Sequence, residues 1–396
     1  MTDLCPIDIL LPIEITKKRG TDMQNDVVSY FLRLVAIDSE SKNERSMADV
    51  LKLDLEELGA QVEEDNCHKH SDGNAGNLYA YIPGKIDKKP ILFCAHMDTV
   101  TPGNGIKAKV ENGRIFSDGT TILGGDDKSG IAEIMIAIKA IVDSGIDHAP
   151  IEVLFTIAEE IGLIGAKCFN KGKLKSAFGY ALDAHQVGEL TVGAPSQNSF
   201  VITIYGKEAH AGVEPEKGLN AIRIASEAII AMPMGRIDFE TTCNIGKIAG
   251  GSATNIVPNQ VILKGEARSH NAQKLAQVCA DIRHAVERTV AKHNNEIGKA
   301  EFSFIMETEY DAFSVSEDAP AVKLAQSALR QLDIPFTTGK GGGGSDANIL
   351  NAAGVPMIIV GTGMNRVHTV AEDIQIDQLH RGVEFVEEMI RQYSDV

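Results

Sequence analysis

Residues 91–100 read ILFCAHMDTV. The first four, Ile91–Cys94, are apolar without alternation, the pattern of a strand buried on both faces. His96 and Asp98 follow at once. The same order recurs along the chain. Ile151–Ile157 is a second apolar run, followed by Glu159-Glu160-Ile161-Gly162. Phe178–Leu182 is a third, followed by Asp183. Pro356–Val360 is a fourth, with His368 downstream. Between the first two, Gly124-Gly125-Asp126-Asp127-Lys128-Ser129-Gly130 leads into IAEIMIAIKAIV (131–142), a helix almost wholly apolar on one side. Strands alternating with helices predict an α/β fold: a mixed, mostly parallel sheet flanked by helices. In open α/β sheets, sites form beyond the carboxyl ends of the strands. Parallel neighbours would therefore bring these polar clusters to one edge.

Working outward, helical spacing predicts helices over Val27–Ile37, about Ser46–Leu58, Ala319–Leu332 and from about Ile376, with a strand at Leu78–Ile82. The middle of the chain differs. Phe200–Tyr205 alternates as a half-exposed strand, and 219–232 is helical. Strands near 241–248 and 259–267, a helix over about 272–293 and a strand at Glu301–Met306 complete a β-α-β-β-α-β order. That order is ferredoxin-like. The expectation is a catalytic domain in two pieces, 23–195 and 308–396, interrupted by an inserted α+β domain over 196–307. Residues 1–22 are expected to form a loosely ordered N-terminal extension.

The chain has 396 residues, 43% hydrophobic and 23% charged, with a formal net charge of −17. This composition is globular, and disorder throughout is excluded. The acid surplus argues against a nucleic-acid surface or a polybasic membrane anchor. No apolar run is long enough to span a bilayer. None of the six cysteines (5, 67, 94, 168, 243 and 279) forms a CxxC pair. A chain this long does not need disulfides, so a reducing cytoplasm is the expected location.

The polar clusters combine two imidazoles with several carboxylates and no thiol. Unpaired carboxylates gathered together repel, and a divalent cation relieves the repulsion. Mixed nitrogen and oxygen donors suit zinc, manganese or cobalt. A catalytic zinc with an open position uses three protein ligands. Five candidates, one of them shared, supply three to each of two ions, which in such paired sites lie about 3.5–4 Å apart. Taken singly, each cluster has a plainer reading. Asp126-Asp127 could place charge at a helix N-terminus. Glu159-Glu160 could be a solvated loop, and His210 a surface residue. Their joint order on this strand pattern favours the metal site.

The strings HMDTV, GTTILGGDDKSGIAEIM, TIAEEIG, LDA and VHT, in that order, resemble the M20 family of zinc-dependent peptidases and deacylases, in particular its peptidase T-like branch. The similarity runs from about Met23 onward and includes the inserted domain. It implies two divalent metal ions, most simply zinc, with cobalt or manganese as alternatives. It implies His96 and Asp183 as ligands of one ion, Glu160 and His368 of the other, and Asp126 as the bridge, with a cis Asp126–Asp127 peptide. Asp98 would accept the free N–H of His96, and Glu159 would be the general base. In the inserted domain, Ala209-His210-Ala211-Gly212 resembles a segment whose histidine reaches the partner subunit's active site. Asn255-Ile256-Val257-Pro258 resembles the family's Asn-x-x-Pro turn, and Arg268 its carboxylate-binding arginine. A homodimer through the inserted lid and dimerisation domain is implied. Gly125, the string LDAH around Asp183 and TVAED after His368 depart from the peptidase T pattern, which leaves substrate choice open.

The activity expected is removal of the N-terminal residue from short peptides, tripeptides favoured. One rival is an N-acyl amino acid deacylase on the same site. Another is a catalytically silent, metal-stabilised dimeric binding protein, against which the retention of Glu159 argues. Calcium sites are disfavoured by the two histidines, since calcium takes oxygen ligands. The loop 341–346 (GGGGSD) lacks the Lys-Ser/Thr of a phosphate loop and reads as a backbone wall or a hinge.

Overall fold

The computed structural model describes residues 26–395; the expected extension over 1–22 lies outside the described residues. The strands predicted around the polar clusters form and lie side by side. Ile151–Thr156, Ile91–His96, Gly179–Ala184 and Met357–Gly361 are parallel neighbours in that order at the centre of a nine-stranded sheet. Antiparallel strands flank this centre. Leu78–Ile82 and Gln61–Glu64 lie on one side, Glu189–Ala194 and Phe313–Ser314 on the other. The central strands are buried on both faces, as their largely apolar runs require; Glu152, the charged exception, accepts the Tyr79 hydroxyl and the Lys175 and Ser176 N–H groups.

The long helix Gly125–Ser144 packs on this sheet, and Val27–Val35 and Ile376–Asp395 pack against that helix in turn. Its closeness to the sheet depends on Gly130, where a Cβ would stand 2.4 Å from the Leu182 carbonyl oxygen. The short strand Thr337–Lys340 pairs in parallel with Glu189–Ala194, so the glycine-rich segment begins as sheet and only then becomes loop.

A separate five-stranded antiparallel sheet carries the middle of the chain. Its order is Gly235–Arg236, Thr241–Gly250, Gln260–Ser269, Ser196–Tyr205, Glu301–Tyr310. Helices Ala221–Ala231 and Ala272–Lys292 pack against it and enclose a second core around Phe200, Ile202, Ile224, Leu263 and Ile282. Both helices start on asparagine caps. Asn220 accepts from the Arg223 N–H, and Asn271 from the N–H groups of Gln273 and Lys274. The strand order, with the first strand between the third and fourth, is ferredoxin-like.

A third sheet of four short strands was not predicted. Lys109–Glu111, Arg114–Phe116, Asp373–Gln375 and Met364–Asn365 are each too short to show periodicity. It ties the segment after His368 to the hairpin at 109–116. Cys67 and Cys168 form a disulfide, with a Cα–Cα distance of 5.8 Å. This corrects the expectation that the cysteines stay unpaired. The pair joins two short helices, a tertiary contact that a search for local CxxC spacing cannot detect. Among the described residues no helix is long and apolar enough to cross a membrane.

Candidate active site

The carboxyl ends of the four central strands meet at one edge of the large sheet, and the predicted residues arrive there from separate elements. His96 is the last residue of its strand. Asp126 lies in the first turn of the long helix, where residues 126 and 127 depart from helical geometry and their shared peptide is cis. Glu159 and Glu160 follow the strand Ile151–Thr156, and Asp183 lies one residue before the end of its strand. His368 follows Met357–Gly361 with φ of 61°, a left-handed backbone that a non-glycine residue adopts at a cost.

Asp126 stands between the two histidines. Its Oδ1 is 3.0 Å from His96 Nε2, and its Oδ2 is 3.1 Å from His368 Nε2. His368 Nε2 is also 3.0 Å from Glu160 Oε1. Potential ligand atoms of His96, Asp126 and Glu160 lie within 4.8 Å of one another, as do those of His96, Asp127 and Asp183. Asp127 already accepts the His96 main-chain N–H at 3.2 Å and the Gly130 N–H at 3.2 Å. Its carboxylate fixes backbone on both sides of the cluster.

The electrostatics of the donor set fit a cation. Burial, followed by the neighbouring Asp126 charge, pushes the Asp183 carboxyl up to about 8. Burial also drives the Glu159 and Asp127 carboxyls well above the usual range. Asp126 goes the other way: burial would raise it, but hydrogen bonds from His368 and His96 outweigh that and hold it low. The hydrogen bonds with Asp126 and Glu160 lift His368 to about 10. Carboxylates and imidazoles thus compete for protons at a point where a divalent ion would replace them all. The nitrogen and oxygen donors suit zinc, cobalt or manganese.

Asp98 holds the site in a different way from the expected one. The nearer partner of His96 Nδ1 is the Asp98 main-chain oxygen at 2.9 Å, with the carboxylate at 3.5 Å. The carboxylate instead accepts the Ser41 hydroxyl at 2.6 Å, the Glu159 N–H at 2.9 Å and the Glu160 N–H at 3.3 Å. The loop carrying both glutamates is further fixed by Glu44, which accepts the Ala158 N–H, and by Asn77, which accepts the Ile157 N–H.

Sequence reasoning missed Glu372. This buried carboxylate accepts the N–H groups of Leu123 at 2.7 Å, Gly124 at 2.8 Å and Asp126 at 3.0 Å. It clamps the loop of one central carboxylate to the segment bearing His368. Gly125 gives it room: a Cβ there would lie 3.1 Å from Glu372 Oε1. Only the acid four residues past His368 was visible in the sequence, and nothing local distinguished it. Asp346, at the end of the glycine run, was also missed. It is buried and receives the Thr156 hydroxyl.

A cavity of about 730 Å³ opens over this edge. Asp126, Glu159, Glu160, Asp183 and His368 line one side, and Arg268 and Tyr310 of the five-stranded sheet line the other. Gly341–Gly344 form part of its wall. Gly344 must lack a side chain, because a Cβ would fall 2.1 Å from the Tyr310 ring. Arg268 donates Nε and Nη2 to Glu266 at 2.9 and 3.1 Å. His210 and Asn255 are not among the residues lining this cavity. They are exposed, and His210 bridges to Ile256 beside Asn255.

Residues 92–392 match the peptidase family M20/M25/M40. The chain belongs to this family. It is 42% identical over 363 residues to the uncharacterized protein YqjE of Bacillus subtilis, covering 91% of this chain and 96% of that one. A tripeptidase of Staphylococcus aureus superposes with a TM-score of 0.88 at 39% identity, covering 94% of this chain and 100% of that chain. The aminopeptidase PepT of Bacillus cereus superposes with a TM-score of 0.83 at 39% identity, covering 94% and 99%. As an M20 member resembling the peptidase T branch, the chain is a metal-dependent peptidase with a mixed α/β fold.

Proposed function

We propose that this enzyme is a two-metal exopeptidase that removes the N-terminal residue from short peptides, tripeptides favoured. The observation that carries the reading is Asp126, whose two carboxylate oxygens face His96 and His368 separately, with Glu159 and Glu160 held beside them. His96, Asp183 and Asp126 would hold one divalent ion, and Glu160, His368 and Asp126 the other; zinc, cobalt or manganese suits these donors. When bound, such a pair supplies Lewis-acid polarisation of the peptide carbonyl and lowers the pKa of a shared water.

The chain's own residues do the rest. Glu159 takes a proton from the attacking water and returns it to the leaving amine. The Asp98 carboxylate fixes its main chain. Arg268 faces the cavity with Nη1 free of Glu266 and offers it to a substrate carboxylate. His210, exposed and away from this cavity, would act in the site of a second subunit, stabilising the carbonyl oxygen as charge develops. Asn255, on the same exposed turn, would border the substrate there.

The reading includes a catalytic domain over 23–195 and 308–396 and an inserted domain over 196–307 that dimerises. An open sheet edge supports this. Thr241–Gly250 pairs with Gln260–Ser269 on its inner side, but on its outer side Gly235–Arg236 covers only Thr242 and Cys243, so among the described residues the outer edge beyond Cys243 has no ladder partner, and Ile248 is exposed. The cytoplasm is the proposed location on the likeness to peptidase T, not on the cysteines, two of which pair.

The test is hydrolysis, by metal-loaded enzyme, of a tripeptide, a dipeptide and their N-acetylated forms. Cleavage of the free-amine peptides with release of the first residue is expected. Cleavage of only the acetylated compounds would make the enzyme a deacylase on the same site. Inactivity toward all four would overturn the peptide reading.

A further inference from the structure

His368 rides on a hairpin. Met364–Asn365 and Asp373–Gln375 pair antiparallel, Met364 with Ile374 and Asn365 with Asp373, and residues 366–372 form the loop between them. Two non-glycine residues of that loop, Arg366 and His368, have left-handed φ of 55° and 61°. Such backbone costs free energy and persists only where its surroundings fix it. The His368 side chain is half exposed, so enclosure by packing does not fix it.

The fixing group is Asp373, a carboxylate 2% exposed at the base of the loop. Its Oδ1 accepts Asn365 Nδ2 at 2.9 Å, Arg366 Nε at 3.2 Å and Arg366 Nη2 at 3.0 Å. Its Oδ2 receives Arg114 from the neighbouring strand Arg114–Phe116. Within the loop, the Thr369 hydroxyl donates to the Arg366 carbonyl at 2.7 Å, and the Glu372 N–H donates to the Thr369 carbonyl at 3.0 Å. The adjacent Glu372 carboxylate is engaged elsewhere, on the N–H groups of Leu123, Gly124 and Asp126. Two consecutive acids thus divide the work. Glu372 ties the hairpin to the loop of Asp126, and Asp373 sets the shape of the hairpin itself.

We propose that Asp373 is a positioning residue for His368, acting through Arg366. It holds the loop in the shape that brings His368 Nε2 to 3.1 Å from Asp126 Oδ2 and 3.0 Å from Glu160 Oε1. Arg366 is the link because it lies two residues before His368 while its side chain returns to the base of the loop. A planar guanidinium with two nitrogens on one carboxylate oxygen fixes orientation as well as distance. Arg114 holds the same carboxylate without belonging to the loop. The proposal rests on the reading of His368 as a metal ligand and adds what keeps that ligand in place. Its consequence is selective. His96 and Asp183 stand on strands of the large sheet, so the ion they hold does not depend on the hairpin.

The experiment measures bound zinc per chain after dialysis against buffers of graded free zinc. It compares the wild type with Asp373→Asn, Arg366→Gln, Arg114→Gln and His368→Ala. Asp373→Asn and Arg366→Gln are expected to weaken retention of one ion about 10–100-fold and to leave the other within about twofold. In both, kcat is expected to fall at limiting zinc and to recover at saturating zinc, because the ligand is intact and only its placement is loosened. Arg114→Gln, which leaves Arg366 in place, is expected to show a smaller loss of the same ion. A merely structural role would lower the melting temperature of the metal-free protein and loosen both ions together. That result, or wild-type retention of both ions by Arg366→Gln, would overturn the proposal. Arg366 is half exposed, so its variant carries the test even where asparagine at the buried position 373 impairs folding. His368→Ala separates the two readings. If it keeps both ions, the ligand reading fails and the positioning role fails with it. If it loses one ion while Arg366→Gln keeps both, the positioning role alone fails.

Discussion

The two walls of the cleft are built on opposite terms. On the large sheet, the acidic groups are enclosed, and main-chain amides hold Asp98, Asp127 and Glu372 in place. On the other side, the domain of the five-stranded sheet presents exposed groups, Arg236 and Phe239 beside the cleft and His210 away from it, with few fixed partners. Chemistry at a metal pair needs donors whose positions are set before substrate arrives. Recognition of peptides of varied sequence needs groups that water and substrate can reach. On the proposed reading, enclosed charge serves bond breaking and open charge serves selection.

The largest expected effect tests the rigid wall. Glu159→Gln should retain both metals by elemental analysis and lose about 10²–10⁴-fold in kcat. Loss of metal along with turnover would instead make Glu159 a ligand and blur the division of labour. Glu372 sharpens the point, since the hydrogen bonds it accepts come from main-chain N–H groups. Replacing it by Gln removes one oxygen acceptor and sets an amide donor against backbone N–H groups. Metal affinity, read by titration calorimetry, should weaken about 10–100-fold, with Glu372→Asp intermediate. Unchanged affinity would show that the backbone of residues 123–126 holds itself.

The open wall is tested at its edge strand. Ile248→Lys should shift a sedimenting dimer toward monomer by about tenfold in dissociation constant, with metal content intact. A parallel fall in turnover at low protein concentration is expected if His210 serves a neighbouring subunit. A monomeric wild type would remove that role.

The smallest effect concerns stability. Burial, then the Asp98 charge, raises Glu44 to about 7, against 4.5 as its ordinary value. The folded state therefore holds a proton that the unfolded state has released, and this group's contribution falls as pH rises from about 4.5 to 7. Above that window the buried charge costs on the order of 3 kcal/mol. Glu44→Gln should stabilise by about 1–2 kcal/mol in urea unfolding at pH 8 and change little at pH 5. An equal effect at both pH values would show that Glu44 does not titrate in this range.

Much of the catalytic edge is legible in the sequence. Unbroken apolar runs ending in His96, Glu159-Glu160 and Asp183 mark parallel strands whose carboxyl ends meet, and the observed order of those strands agrees. Asp183, expected just past its strand, lies within it, a boundary shift of two residues. The cis Asp126–Asp127 peptide, implied by resemblance, is present. The hydrogen-bonding target of the Asp98 carboxylate was not legible. Spacing alone cannot distinguish the N–H of His96 from the amides of a loop sixty residues away.

By itself, the sequence determined the periodicities, and with them the central strands, the long helices and the chemical identity of the clustered donors. These follow from side-chain polarity and chain geometry within a few residues. The tertiary structure alone decided which carboxylate clamps which backbone and that Cys67 meets Cys168. It also decided that Asp373 receives Arg366 and Arg114 together, and that His210 lies outside the cavity of its own chain. Those relations join residues distant in the chain, and they depend on how packed elements are turned toward one another, which no local pattern records.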